Sequence, residues 1–218
     1  MQTRALLVDD HPLFREGLAL LLAHEFPRWQ VLQAGSLAQA LDCLAADDAD
    51  PEAAGGPITL VMLDLSLPDA AGLDGLIHLR ARAPRPRYVM LSASEDPDLI
   101  LGAIDHGASG FVPKTSQTGA MLAAMRTVLD GGVFLPAGFS QAPVAPREAT
   151  DALGISPRQA QVLRLLIEGR SNKAICQVLD ISESTVKTHL EALYRRLEVT
   201  SRTQAVVAAA RLGLRLNG

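Results

Sequence analysis

Short apolar runs alternate with amphipathic stretches through roughly the first 130 residues. The runs Ala5–Val8, Gln30–Gln33, Leu60–Leu63, Tyr88–Leu91 and Gly110–Val112 have strand length, while the stretches near 13–24, 36–46, 73–82, 97–106 and 117–130 repeat their apolar residues with helical period. This alternation predicts parallel strands joined by crossover helices, a doubly wound (βα)5 α/β domain. The acidic, breaker-rich stretch 47–57 predicts an exposed loop before the third strand. Gly131, Gly132, Pro136, Gly138, Pro143 and Pro146 then interrupt regular structure, which places a linker at 137–152. Beyond it the signals are all helical. Ser156-Pro157-x-Gln159 reads as an N-cap, a first-turn proline and a capping-box partner, Gly169 stops that helix, and further helices follow near 171–178, 183–197 and 202–211. The predicted organisation is an α/β domain at 1–136, the linker, and a small all-α four-helix domain at 153–218.

Composition narrows the class. With 218 residues, 48% of them apolar, the chain has enough to build a core, which excludes a disordered protein. Cys43 and Cys176 lie far apart without CxxC or Cys/His spacing, arguing against a disulfide framework or structural zinc. Asp9 and Asp10 interrupt the N-terminus before any signal-peptide core, and no run of about 18 apolar residues occurs, so a cytoplasmic protein without a membrane span is expected. Net charge divides unevenly. Residues 1–146 carry 9 basic and 17 acidic side chains, and residues 147–218 carry 11 basic and 7 acidic. The basic C-terminal part is the candidate for a polyanionic partner.

In a parallel sheet of order 2-1-3-4-5, the first and third strands are neighbours at the topological switch point, so Asp9, Asp10 and Asp64 converge at their carboxyl ends. Clustered carboxylates call for a hard cation, and an open oxygen-ligand site that keeps several waters suits Mg2+. Ser92 ends the fourth strand with a hydroxyl, and Lys114 follows the fifth with a compact positive charge. This is the chemistry of a phosphoryl acceptor: Asp64 attacks phosphorus while metal and Lys114 neutralise the transferred oxygens. Lys114, Lys173 and Lys187 are the three lysines among 20 basic residues, and each falls in a motif. A turnover phosphohydrolase would also use a strand-end aspartate, but it needs a second carboxylate two residues on, where this chain has Ser66. No enzymatic turnover is therefore expected.

Val8-Asp9-Asp10-His11-Pro12, Leu63-Asp64-Leu65-Ser66-Leu67-Pro68-Asp69, Leu91-Ser92-Ala93 and Gly110-Phe111-Val112-Pro113-Lys114 resemble the receiver domain of bacterial two-component response regulators over roughly residues 3–130. The resemblance implies Asp64 as the phosphorylated residue, with Asp9, Asp10, Asp64 and the Ser66 carbonyl around Mg2+. It also implies Ser92 as the switch hydroxyl and Phe111 as a switch aromatic that turns inward on phosphorylation.

In the C-terminal part, Gly169 to His189 reads as helix, tight turn, helix. Val186, Leu190, Leu193 and Leu197 fall within about 60° of arc on the second helix and form its core face. Ser184, Thr188, Glu191 and Arg195, flanked by Lys187, occupy the opposite face, suited to a major groove. Ser182 caps this helix, and its free amides suit a phosphate. His189 lies toward the apolar face, where partial burial competes with DNA contact.

Ile155-Ser156-Pro157-Arg158, Gly169-x-Ser171-Asn172-Lys173-x-Ile175, Ile181-Ser182-Glu183-x-Thr185-Val186-Lys187-x-His189 and Ser201-Arg202-Thr203-x-Ala205-Val206 resemble a LuxR-type DNA-binding domain. Receiver plus this domain is the NarL/FixJ arrangement. It implies a transcriptional regulator phosphorylated by a sensor histidine kinase, promoter DNA as ligand, and a homodimer in the phosphorylated state. Lys187, Thr188 and Glu191 match base-reading positions. Ser171, Asn172, Lys173, Thr185, His189, Ser201 and Arg202 match positions of phosphate contact or helix support. The small apolar residues 205–210 of the last helix suit either a dimer contact or ordinary packing onto the preceding helices.

Overall fold

A computed structural model describes residues 3–49, 56–136 and 153–211. The linker expected at 137–152 lies outside the described residues. The chain divides into two compact units, Met1–Leu122 and Ala123–Gly218.

The first unit carries strands β1 (Thr3–Val8), β2 (Trp29–Ala34), β3 (Ile58–Asp64), β4 (Arg87–Ser92) and β5 (Gly110–Pro113), all parallel as the alternation predicts and ordered 2-1-3-4-5. Helices α1 (Pro12–Glu25), α2 (Leu37–Ala49), α3 (Asp74–Arg82) and α4 (Pro97–Asp105) connect them, and α5 (Thr118–Leu129) runs on into the second unit. Ala5–Val8, Leu60–Leu63 and Tyr88–Leu91 are fully buried, explaining why the central strands read as unbroken apolar runs rather than alternating ones. β2, at one edge, is only partly covered.

Local chemistry sets the helix ends. Asp96 accepts from Asp98 N at 2.9 Å to cap α4, and Pro97 occupies its first turn. Gly107 follows that helix at φ +89°, where a β-carbon would strike the Arg80 guanidinium, which donates to the Gly107 carbonyl.

One expectation is corrected here. α2 continues through Ala49, so residues 47–49 are helical rather than part of a loop, and Asp47 is buried. Its Oδ1 pairs with Arg4 Nη1 from β1, and its Oδ2 accepts from Ile58 N at 2.8 Å. Arg4 also donates to Gln30 Oε1 and Gly56 O, each at 2.8 Å. A buried pair to a strand 43 residues away holds the last helical turn in place against its polar composition.

The second unit contains α6 (Pro157–Ile167), α7 (Asn172–Leu179), α8 (Glu183–Arg196) and α9 (Arg202–Arg211). Ser156 and Gln159 form the complete capping box expected at α6. Ser171 caps α7 by accepting from Ala174 N, and Ser182 caps α8 by accepting from Thr185 N, both at 3.2 Å. Between those helices Asp180 takes a left-handed φ of 51°, a conformation a short polar side chain tolerates. Val162, Leu163, Leu166, Ile175, Val186, Leu190 and Leu193 are buried, while Leu197, at the end of α8, is half-buried. Ala205, Val206, Val207 and Ala209 of α9 are buried within the single chain and Ala208 is half-buried. No helix among the described residues is long and apolar enough to cross a membrane.

Candidate functional site

The carboxyl ends of β1, β3, β4 and β5 deliver the expected side chains to one pocket. Asp9 and Asp64 are buried, and Lys114 Nζ lies 2.7 Å from Asp9 Oδ2 and 2.8 Å from Asp64 Oδ2. Sheet pairing fixes these ends. Asp9 N donates to Ala34 O and Leu65 N to Leu91 O, each at 3.0 Å, and Lys114 N donates to Ser92 O at 2.7 Å. The ammonium also sits 4.9 Å from the centre of the Phe14 ring.

Asp10 is the accessible member of the acidic group. Its Oδ1 lies 2.7 Å from His11 Nδ1, and the His11 backbone N donates to Asp9 Oδ1 at 2.8 Å. One ligand atom from each of Asp9, Asp10, His11 and Asp64 falls within a 4.8 Å cluster. Asp9 Oδ2 and Asp64 Oδ2 are buried and face Lys114 as ion pairs, yet at angles that complete no hydrogen bond. Two buried carboxylate oxygens with spare acceptor capacity beside an exposed third carboxylate are the donor set a hard cation takes. Ser66 is exposed directly after the buried Leu65.

Burial pushes the Asp64 carboxyl above its ordinary range; Lys114 opposes this and Asp9 adds to it. Burial also works against the charged Lys114, but its close pairing with the carboxylates of Asp64 and Asp9 prevails, so its pKa is raised. Ser92 is buried, and its Oγ accepts from Ser94 N at 3.0 Å, leaving its hydroxyl hydrogen available to an anion. Phe111 is fully buried in this state. The ring lies on a strand buried along its whole length.

In the helical unit, Ser182, Ser184, Lys187, Thr188, Glu191 and Arg195 are exposed together along α8, opposite its buried Val186, Leu190 and Leu193. Lys187 Nζ pairs with Glu183 Oε1 at 3.0 Å, an exposed contact easily exchanged for another anion. Thr185 and His189 are half-buried on the flank. Lys173 is exposed, whereas Ser171, Asn172 and Ser201 are half-buried.

Arg202 does more than the pattern suggests. It donates to Asn172 Oδ1 at 3.4 Å, to Leu166 O at 3.5 Å and to Arg170 O, stitching the start of α9 to the turn between α6 and α7. Arg158 similarly donates to Leu179 O at 2.5 Å. Sequence reading missed both contacts, since neither acceptor carbonyl has a residue signature.

Comparison with known proteins accords with both halves. Residues 5–126 match the model of the response regulator receiver domain, and residues 154–209 match that of bacterial regulatory proteins of the luxR family. The chain is 36% identical over 216 residues to a glycerol metabolism activator of Pseudomonas putida, covering 94% of each. It is 30% identical over 208 residues to the nitrate/nitrite response regulator protein NarL of Escherichia coli K12, covering 93% of this chain and 92% of NarL. Among solved structures, a LuxR family DNA-binding response regulator from Silicibacter pomeroyi is similar at 32% identity with a TM-score of 0.53, across 62% of this chain and 98% of that one.

Proposed function

The chain belongs to the DNA-binding response regulators of the NarL/FixJ family, a receiver followed by a LuxR-type domain, and from that premise we propose that phosphoryl transfer from a sensor histidine kinase to Asp64 controls its binding to promoter DNA in the cytoplasm. The observation that carries the reading is Lys114 bridging Asp9 and Asp64 at the ends of β5, β1 and β3. Asp64 is the acceptor: a carboxylate oxygen bonds to phosphorus as the phosphorus–nitrogen bond of the donor phosphohistidine breaks, leaving an acyl phosphate and a free imidazole. Asp9, Asp10, Asp64 and the Ser66 carbonyl would hold Mg2+, which when bound supplies positive charge against the transferred oxygens. Lys114 exchanges its pairing with Asp64 for a phosphoryl oxygen, and Ser92 donates its hydroxyl hydrogen to another.

At the other end, α8 enters the major groove. Lys187, Thr188 and Glu191 face the bases, with Glu191 accepting from a cytosine amino group. Ser182, Ser184, Thr185, His189, Arg195 and Lys173 lie along the phosphates, while Ser171, Asn172, Ser201 and Arg202 hold the helices that present them. Phosphorylation favours a homodimer that occupies two half-sites.

The test incubates the full chain with Mg2+ and phosphoramidate and measures binding to duplexes selected from a random pool across a salt series. Tighter binding after phosphorylation, absent in Asp64→Ala, is expected. Equal binding by both proteins with or without donor would refute the switch.

A further inference from the structure

Asp69 belongs to the motif that carries Asp64 and Ser66 and stands three residues past Ser66. After β3 the chain is pinned by two buried leucines, Leu65 and Leu67, with Ser66 exposed between them. It then folds back in a tight turn through Pro68 and Asp69, closed by Ala70 N donating to Leu67 O at 3.4 Å. From this turn the Asp69 carboxylate reaches a different element. Oδ1 accepts from Leu37 N at 2.8 Å and Oδ2 from Ala38 N at 2.9 Å, so each oxygen takes one amide of the first turn of α2. Those amides have no partner within their helix, and a carboxylate there also meets the positive end of the helix dipole.

The cross-link joins loops that hold different parts of the acidic pocket. The β2 end leading into α2 is bonded to the loop of Asp9 and Asp10, through Asp9 N donating to Ala34 O at 3.0 Å. Arg15 secures the same loop by donating to Asp9 O at 2.5 Å. Asp69 ties the Ser66 loop to the opposite side of this junction. The distance between the Asp9–Asp10 carboxylates and the Ser66 carbonyl is therefore set through α2 as well as through the sheet.

We propose that Asp69 is a positioning residue for the divalent cation: by clamping the β3–α3 loop to the first turn of α2, it fixes the Ser66 carbonyl relative to Asp9 and Asp10. This rests on the cation site proposed above. The two amide bonds also hold the Asp69 carboxyl below its ordinary range, so the clamp is ionised at neutral pH.

Calorimetric titration of the metal-free full chain with MgCl2 provides the test. Asp69→Ala is expected to weaken Mg2+ about tenfold, the low end of the loss for residues that orient metal ligands. Asp69→Asn, which keeps one acceptor oxygen, falls between Asp69→Ala and the native chain. Ser36→Ala is the control for simple helix capping, since Ser36 Oγ accepts from Gln39 N at 3.2 Å within the same turn without touching the Ser66 loop. It should leave Mg2+ affinity unchanged. Native affinity in Asp69→Ala, or equal weakening by Ser36→Ala and Asp69→Ala, overturns the clamp while leaving the cation site intact. Mg2+ binding that survives Asp10→Ala together with Asp64→Ala overturns the site itself, and the clamp with it.

Discussion

Replacing Asp47 by alanine would leave the Arg4 guanidinium buried without its carboxylate and the Ile58 amide without its acceptor. The two side chains are 7% and 8% exposed, so water replaces little of what is lost. Removing one partner of a buried ion pair typically costs 3–5 kcal/mol; because Arg4 retains Gln30 and Gly56 as acceptors, the lower end, about 3 kcal/mol, is expected. Such a loss is a large share of the stability of an ordinary domain. The chain's one tryptophan, Trp29, stands on β2 paired with Thr3 of β1, close in sequence to Arg4, so its fluorescence reports this unit in a urea titration. The midpoint should fall with an unchanged slope. Replacing both partners by apolar residues, Arg4→Met with Asp47→Leu, should recover most of the loss, because the cost lies in the stranded charge. A loss below about 1 kcal/mol in Asp47→Ala, or a double variant no better than the single, would refute the reasoning.

Lys173→Ala should lower the slope of log affinity for DNA against log salt by about 0.9, the loss of one phosphate contact, and an unchanged slope would take Lys173 off the phosphates. Ser182→Ala removes the acceptor for Thr185 N and should destabilise the helical unit by about 1 kcal/mol in thermal unfolding followed by circular dichroism. Asp69 has a folded pKa below its unfolded value near 3.8. Its stabilisation is therefore fully present above that value and disappears as pH falls through the folded pKa. The gap in urea midpoint between the native chain and Asp69→Asn should accordingly be constant from pH 8 to about 5 and close below pH 4.

The sheet was legible because three strands are buried on both faces, and such strands must be written as continuous apolar runs. The pocket was legible because Asp9, Asp64, Ser92 and Lys114 stand where those runs stop, and strand ends in a parallel sheet share an edge. Where reading failed, the partner was remote. Asp47 sits in a string of acidic residues that resembles a loop, and its partners, Arg4 and the Ile58 amide, stand on other elements. Asp69 looks like an ordinary turn residue until the amides of α2 are placed before it. Arg202 matched a position for phosphate or helix support, and the carbonyls it serves carry no mark in the sequence.

The Lys114 bridge has a consequence for the order in which the protein comes into being. Asp9 and Asp64 lie on adjacent strands and can be brought together as soon as the third strand leaves the ribosome, about fifty residues before the lysine that neutralises them. Until then the two carboxylates repel across the first and third strands. The nascent chain thus holds an unfinished, self-repelling edge that closes only when the last strand is delivered. A chain that ended before residue 114 would likewise carry the two carboxylates without the ammonium that offsets them.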